Sequence, residues 1–231
     1  MKIGIIGAGN IGGTLARRLT ALGHEVYIAN SRGPQTLKAL ADETGAKPVT
    51  VREAARAGEV VIVTIPEKNI PELPADLFEG VPENVAVVDT GNYYPRQRDG
   101  LIPEIEGGTT ESRWVSNHLH RSVVKTFNNI FARSLAERGK PKGAKDRIAL
   151  PVAGDDTRAK GTVMRLVDEL GFDPVDAGDL DGSWRQQPGT PVYTKDFDAE
   201  RLRRGLAEAS QERPADFRAG ANAGAAAARR T

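Results

Sequence analysis

Gly7-Ala8-Gly9-Asn10-Ile11-Gly12 is the segment whose residue types and spacing bear most directly on chemistry. A G-x-G-x-x-G turn binds the diphosphate of a dinucleotide through backbone alone. Gly7 permits the tight turn. Gly9 removes the side chain that would bar the pyrophosphate. Gly12 lets the next helix pack close to the preceding strand. The N–H groups and positive end of that helix then face the anion. Context carries the motif: it follows the apolar run Lys2–Ile6 directly and opens a helical pattern over 10–22.

A second segment selects among dinucleotides. About twenty residues past the glycines, an NAD site places Asp or Glu against the ribose 2′-hydroxyl. Here the chain reads Val26-Tyr27-Ile28-Ala29-Asn30-Ser31-Arg32, with no carboxylate at that point. Arg32 has the planar fork that pairs with a 2′-phosphate, Ser31 can donate to it, and neutral Asn30 does not repel it. The expected cofactor is therefore NADP(H).

These segments need a frame to hold them. Short Val- and Ile-rich runs recur at Ile3–Ile6, Val26–Ala29, Val60–Ile65, Val85–Val88, Val123–Phe127 and Ile148–Val152. Continuous apolar runs of this length suit strands covered on both faces. Helical stripes alternate with them: Ile11, Leu15, Leu19 and Leu22 before Gly23, then Leu37, Leu40 and Ala41 after Pro34. Val163, Leu166, Val167 and Leu170 before Gly171 form another. The alternation predicts an α/β fold, a Rossmann-type doubly wound parallel sheet, over residues 1–180. Residues 89–122 read as loops with a short helix. Residues 181–231 read as a C-terminal loop, a helix near 197–211 and a partly disordered, Ala- and Arg-rich tail.

Composition limits the partners. Lys plus Arg is 32 against 31 Asp plus Glu, a net charge of +1, so no global field gathers nucleic acid or a membrane surface. Cysteine is absent, which removes disulfides, thiolate metal sites and thiol nucleophiles. The apolar opening is too short for a signal peptide and no run reaches membrane-span length, so a cytoplasmic protein is expected. His118 and His120 lack a third ligand, so no metal site is expected. They read as loop histidines, and as the proton donors a carbonyl or imine reductase would want.

With those residues in place, the chain resembles the short reductases related to the coenzyme F420 (deazaflavin):NADP oxidoreductases, a group that includes the cytoplasmic domains of the STEAP metalloreductases. The resemblance covers roughly residues 1–180. Besides the glycine turn and Asn30-Ser31-Arg32, it rests on Thr64-Ile65-Pro66, Val124–Asn129, Pro151–Asp156 and Val175–Leu180. It implies that Asn10 and Ile11 contact the pyrophosphate, and that Thr64, Ile65 and Pro66 line the ribose and nicotinamide. Thr126–Asn129, Asn128 included, would lie near the nicotinamide face. It also implies a homodimer.

After residue 180 the chain departs from the deazaflavin enzymes. Trp184, Arg185 and Gln186 fit the wall of a pocket for a planar anionic acceptor, and equally a surface loop anchored by its Trp. The expected activity is hydride transfer between NADPH and a flavin or deazaflavin, a small-molecule redox acceptor, which needs alignment more than acid–base groups. A non-catalytic NADP(H)-binding sensor or scaffold, or a small carbonyl or imine reductase, are the alternatives.

Overall fold

The computed structural model describes residues 1–220. Six parallel strands form one sheet: β1 (Lys2–Ile6), β2 (Glu25–Ala29), β3 (Lys47–Pro48), β4 (Val60–Val63), β5 (Ala86–Asp89) and β6 (Val124–Lys125), in the order β3-β2-β1-β4-β5-β6. This is the doubly wound arrangement, with its switch point between β1 and β4. Ile3, Ile5, Ile28, Val60 and Ile62 are sealed, as the continuous apolar runs require.

The register brings the strand ends level. Ile6 pairs with Ala29 on one side and Val63 on the other, and Val63 pairs with Asp89. The segments beginning at Gly7, Asn30, Thr64 and Thr90 therefore leave the sheet along one edge. Around it run α1 (Asn10–Ala21), α2 (Lys38–Thr44), α3 (Val51–Ala55), α4 (Pro103–Glu106), α5 (Glu111–Leu119), α6 (Ala132–Glu137) and α7 (Thr157–Glu169). Helix α3 starts with a full capping box, Thr50 accepting from the Glu53 N–H while Glu53 accepts from Thr50.

Three details differ from the sequence expectation. The run Ile148–Val152 does not join the large sheet. As β7 (Ala149–Val152) it pairs in parallel with β8 (Asp173–Asp176), and one antiparallel bridge, Lys125 to Ala153, ties it to β6. The six-residue run Val60–Ile65 is strand only to Val63; the Thr64 N–H still donates to the Ile6 carbonyl at 2.8 Å, and Pro66, with no N–H, allows no further ladder. Residues 89–122 hold, besides loops and a π turn over Pro95–Asp99, two α-helices where the sequence predicts one short helix. The longer, α5, is capped by the Thr110 hydroxyl and buries Trp114, Val115 and Leu119.

Beyond residue 180 a 3-10 turn over Asp181–Gln186 leads to α8 (Ala199–Ala207), shorter than the 197–211 span expected. Val192, Leu202 and Leu206 pack on Ala149 and Val175, so this extension covers the β7–β8 pair. The segment 213–219 then returns across the sheet edge. Arg96 Nε donates to the Arg218 carbonyl at 3.0 Å, and the Ala219 N–H donates to Glu106 at 2.8 Å. The expectation of a partly disordered tail falls mainly on residues 221–231, which lie outside the described residues.

Candidate active site

The glycine turn forms as its spacing demands. Gly7 has φ 113°, and a Cβ there would lie 2.2 Å from the Thr64 carbonyl oxygen. A Cβ on Gly12 would lie 2.0 Å from the Gly7 carbonyl oxygen and 2.7 Å from Thr64 Cγ2. Both glycines are needed by the protein itself. Gly9 is different: nothing lies within 4 Å of the place its Cβ would occupy. It is the N-cap of α1, no side chain caps that end, and the first turn has no acid. The open approach and uncapped N–H groups fit an anion supplied from outside. Asn10 is exposed beside it, while Ile11 packs its side chain on the core and leaves only backbone to the turn.

At the end of β2 the three selecting residues are held by one another. Asn30 Oδ1 accepts from the Arg32 N–H at 3.0 Å and its Nδ2 donates to Thr36 Oγ1 at 2.9 Å. The Thr36 hydroxyl in turn donates to the Gly33 carbonyl at 2.8 Å. This Asx turn leaves Ser31 and Arg32 exposed at the cleft mouth. Among the described residues no carboxylate pairs with Arg32.

A cleft of about 500 Å³ joins these pieces, lined by Gly7, Ala8, Gly9, Asn30, Ser31, Arg32, Thr64, Ile65 and Pro66. A second groove of about 600 Å³ shares Ala8, Gly9 and Arg32 with it, and takes in Asn10 between α1, α2 and α6. The cofactor residues expected from β1, β2 and β4 are thus brought together. The donor set, the bare Gly9 and the absence of an acid at 30–32 fit NADP(H).

Asn128, just past β6, is not among the residues lining this cleft. It is buried, and its Nδ2 donates to Asn92 Oδ1 at 3.1 Å and to the Gln186 carbonyl at 2.7 Å. Gln186 Nε2 returns a bond to Asn128 Oδ1 at 3.0 Å. Phe127 just before it has φ 61°, an uncommon conformation for a bulky residue, and turns its ring into the core. Trp184, Arg185 and Gln186 do not form one wall. Gln186 is sealed, and the Arg185 guanidinium stacks 4.3 Å over the Trp184 ring. Trp184 lines a separate cleft of about 310 Å³ with Glu106, Arg213 and Arg218, which shares no lining residue with the cofactor cleft. His118 and His120 end α5, just ahead of the N-terminal end of β6, so they lie at the opposite edge of the sheet from the glycine turn.

Sequence reading missed a dense buried charge cluster at the ends of β5 and β6. Lys125 is fully buried and donates to the Gly91 carbonyl at 3.1 Å and to Glu111 at 3.3 Å, with Asp89 at 3.8 Å. Ser112 Oγ donates to Asp89 at 2.5 Å. Arg213 pairs with Glu111 at 3.1 Å, and Arg98 with Glu67 at 3.2 Å and Asp99 at 2.9 Å. Burial and the charges of Asp89 and Glu111 hold the Glu67 carboxyl well above the usual carboxylate range. The Tyr94 and Tyr193 hydroxyls touch beside this cluster. Burial raises the affinity of both for their protons, and pushes nearby Tyr93 up to about 12. The available signal was a lysine inside the apolar run Val123–Phe127, because a cation in a covered strand requires a buried acid.

The fold and cleft define a dinucleotide-binding unit of the doubly wound class. The sequence profile of the family "NADP oxidoreductase coenzyme F420-dependent" matches residues 2–93. A crystal structure of the Sinorhizobium meliloti protein SMa0349 is 34% identical, covering 85% of this chain and 95% of that one, with a TM-score of 0.71. A protein of Arthrobacter sp. FB24, described as an F420-dependent NADP reductase, is 26% identical over 78% of this chain and 85% of its own, with a TM-score of 0.62. The rat metalloreductase STEAP3 is 27% identical over 194 residues, 83% of this chain and 36% of that protein. Residues 2–93 of the chain therefore belong with this F420-dependent NADP oxidoreductase family. The chain spans less than half the length of the curated relatives it matches. No helix among the described residues is long and apolar enough to cross a membrane.

Proposed function

We propose that the chain is an oxidoreductase that passes hydride between NADPH and a flavin or deazaflavin, with residues 1–180 as the cofactor unit and 181–231 as its extension. The observation that carries the cofactor is the unpaired Arg32 beside Ser31 at the mouth of the cleft, held by Asn30 where an NAD site carries an acid. Gly7, Gly9, Asn10, Ile11 and Gly12 would hold the pyrophosphate, and Thr64, Ile65 and Pro66 the ribose and nicotinamide. The nicotinamide supplies the hydride; the chain orients it and keeps water away.

A flavin-type acceptor suits this cleft because transfer to such a ring needs little acid–base help. The histidines that a carbonyl or imine reductase would use stand at the far edge of the sheet. The name of the Arthrobacter relative points the same way. Stopped-flow oxidation of NADPH with F420, FMN and a ferric chelate tests the reading. Turnover with F420 or FMN is expected. Tight NADPH binding without turnover on any of them would replace it with a sensor. A cytoplasmic homodimer belongs to the same reading, and sedimentation velocity tests the dimer.

A further inference from the structure

The charge cluster behind the cofactor cleft does not balance. Glu67, Asp89, Asp99 and Glu111 are four carboxyl groups, and Lys125, Arg98 and Arg213 are three cations in contact with them. Glu67, Asp89, Glu111 and Lys125 are at most 1% exposed. Arg98 keeps access to solvent, its side chain 35% exposed, but the excess negative charge sits on buried carboxyls, where it is costly and where one added proton removes it.

Geometry points to where that proton sits. Glu67 Oε2 accepts from Arg98, whereas Glu67 Oε1 is buried without a donor. A Cβ built on Gly91 would lie 2.4 Å from Glu67 Oε1 and 3.0 Å from Asp89 Oδ1, so both oxygens face the same small volume. The neighbouring carboxyls each have a donor or a cation, although Glu111 Oε1 meets Arg213 only as an ion pair, without hydrogen-bond geometry. Asp99 holds the Tyr94 N–H and Arg98, Glu111 holds Lys125 and Arg213, and Asp89 holds the Gly91 N–H and Ser112. Glu67 follows Thr64-Ile65-Pro66 directly, the wall of the cofactor cleft.

We propose that Glu67 and Asp89 hold one proton between them behind the nicotinamide end of the cleft, and give it up when the bound ring becomes cationic. The inference rests on the nicotinamide placement proposed above. Reduction of an acceptor by NADPH moves a hydride to the acceptor, leaves NADP⁺ and consumes one proton. The ring changes from neutral to positive in front of the pair, which lowers the pair's hold on its proton. The direction of the Glu67 shift, set by burial and by Asp89 and Glu111, agrees.

Infrared difference spectroscopy reads the proton directly. At neutral pH the protein without cofactor is expected to show the carbonyl stretch of a protonated carboxylic acid, absent in Glu67→Gln, whose amide copies the shape of the protonated acid. Saturating NADP⁺ is expected to remove that band, and NADPH to leave it. In parallel, calorimetry is expected to show NADP⁺ affinity gaining on NADPH affinity by up to about tenfold per pH unit, with no such trend in Glu67→Gln. No acid band in the wild-type protein would overturn the shared proton. A band that NADP⁺ binding leaves unchanged would overturn its release. Failure of wild-type protein to bind NADP(H) at all would count against the proposed function instead, and would be seen in the calorimetry independently of the band.

Discussion

Two polar regions share one edge of the sheet and are built in opposite ways. At the ends of β1, β2 and β4 the groups are few, exposed and unpaired: the bare Gly9, the uncapped start of α1, and Arg32. At the ends of β5 and β6 the groups are many, sealed and interlocked around Lys125, under the segment 213–219. The first leaves its hydrogen-bonding capacity to a ligand. The second pairs its charges internally and out of water, and leaves single atoms such as Glu67 Oε1 and Glu111 Oε1 without a donor. The difference teaches that a polar cluster near a cofactor edge is not by itself a binding surface. Exposure marks the binding surface, whereas a charge imbalance and an unpartnered carboxyl oxygen mark the buried cluster as a place to keep a proton.

The comparison is broken hardest at Lys125. Lys125→Met removes the cation from Asp89 and Glu111, and the stranded buried charges are expected to cost about 3–5 kcal/mol of stability. Urea unfolding followed by circular dichroism measures this. A loss under about 1 kcal/mol would show that the cluster is not electrostatically sealed.

Gly9→Val should do the reverse and spare the fold, since its Cβ meets nothing. NADPH binding is expected to weaken at least about a hundredfold, roughly 3 kcal/mol, by titration calorimetry. A variant that binds normally would move the pyrophosphate away from this turn. Gly12→Ala sharpens the contrast, because its Cβ collides with backbone and the melting temperature should fall.

Arg32→Ala is expected to cost NADPH about 1–3 kcal/mol of binding and NADH almost nothing. Equal losses for the two would remove the 2′-phosphate role.

The smallest effect concerns pH. The folded protein holds the Glu67 proton more tightly than the unfolded chain does. Its contribution is therefore full below the unfolded value and is lost as pH rises above the ordinary carboxylate range of about 4–5. Thermal melts should show the wild type losing stability toward alkaline pH relative to Glu67→Gln. Parallel curves would mean that Glu67 is ionised throughout.

Much of the fold was legible because its signals are local. The strand runs, the helix stripes and Gly7–Gly12 each follow from neighbours in sequence. Strand β3, two residues with a proline, carries too little pattern to be read. Strand β8 includes Pro174 and buries only Val175, so it gives no apolar run. The same limit separated the candidate residues. Asn30, Ser31 and Arg32 were readable because they act from one turn. Trp184, Arg185 and Gln186 are also consecutive, yet a 3-10 turn sends Gln186 inward and Trp184 to another cleft.

The sequence alone determined a doubly wound fold, a diphosphate turn and a strand end suited to a 2′-phosphate, since each depends on backbone freedom or charge within a few residues. Only the tertiary structure decided what surrounds Lys125. Its partners come from positions 89, 91 and 111, and Glu111 is met in turn by Arg213. A lysine in an apolar run announces that a buried acid is needed, but no local pattern says which segments supply it, because the energy of their meeting exists only once distant segments have excluded water together.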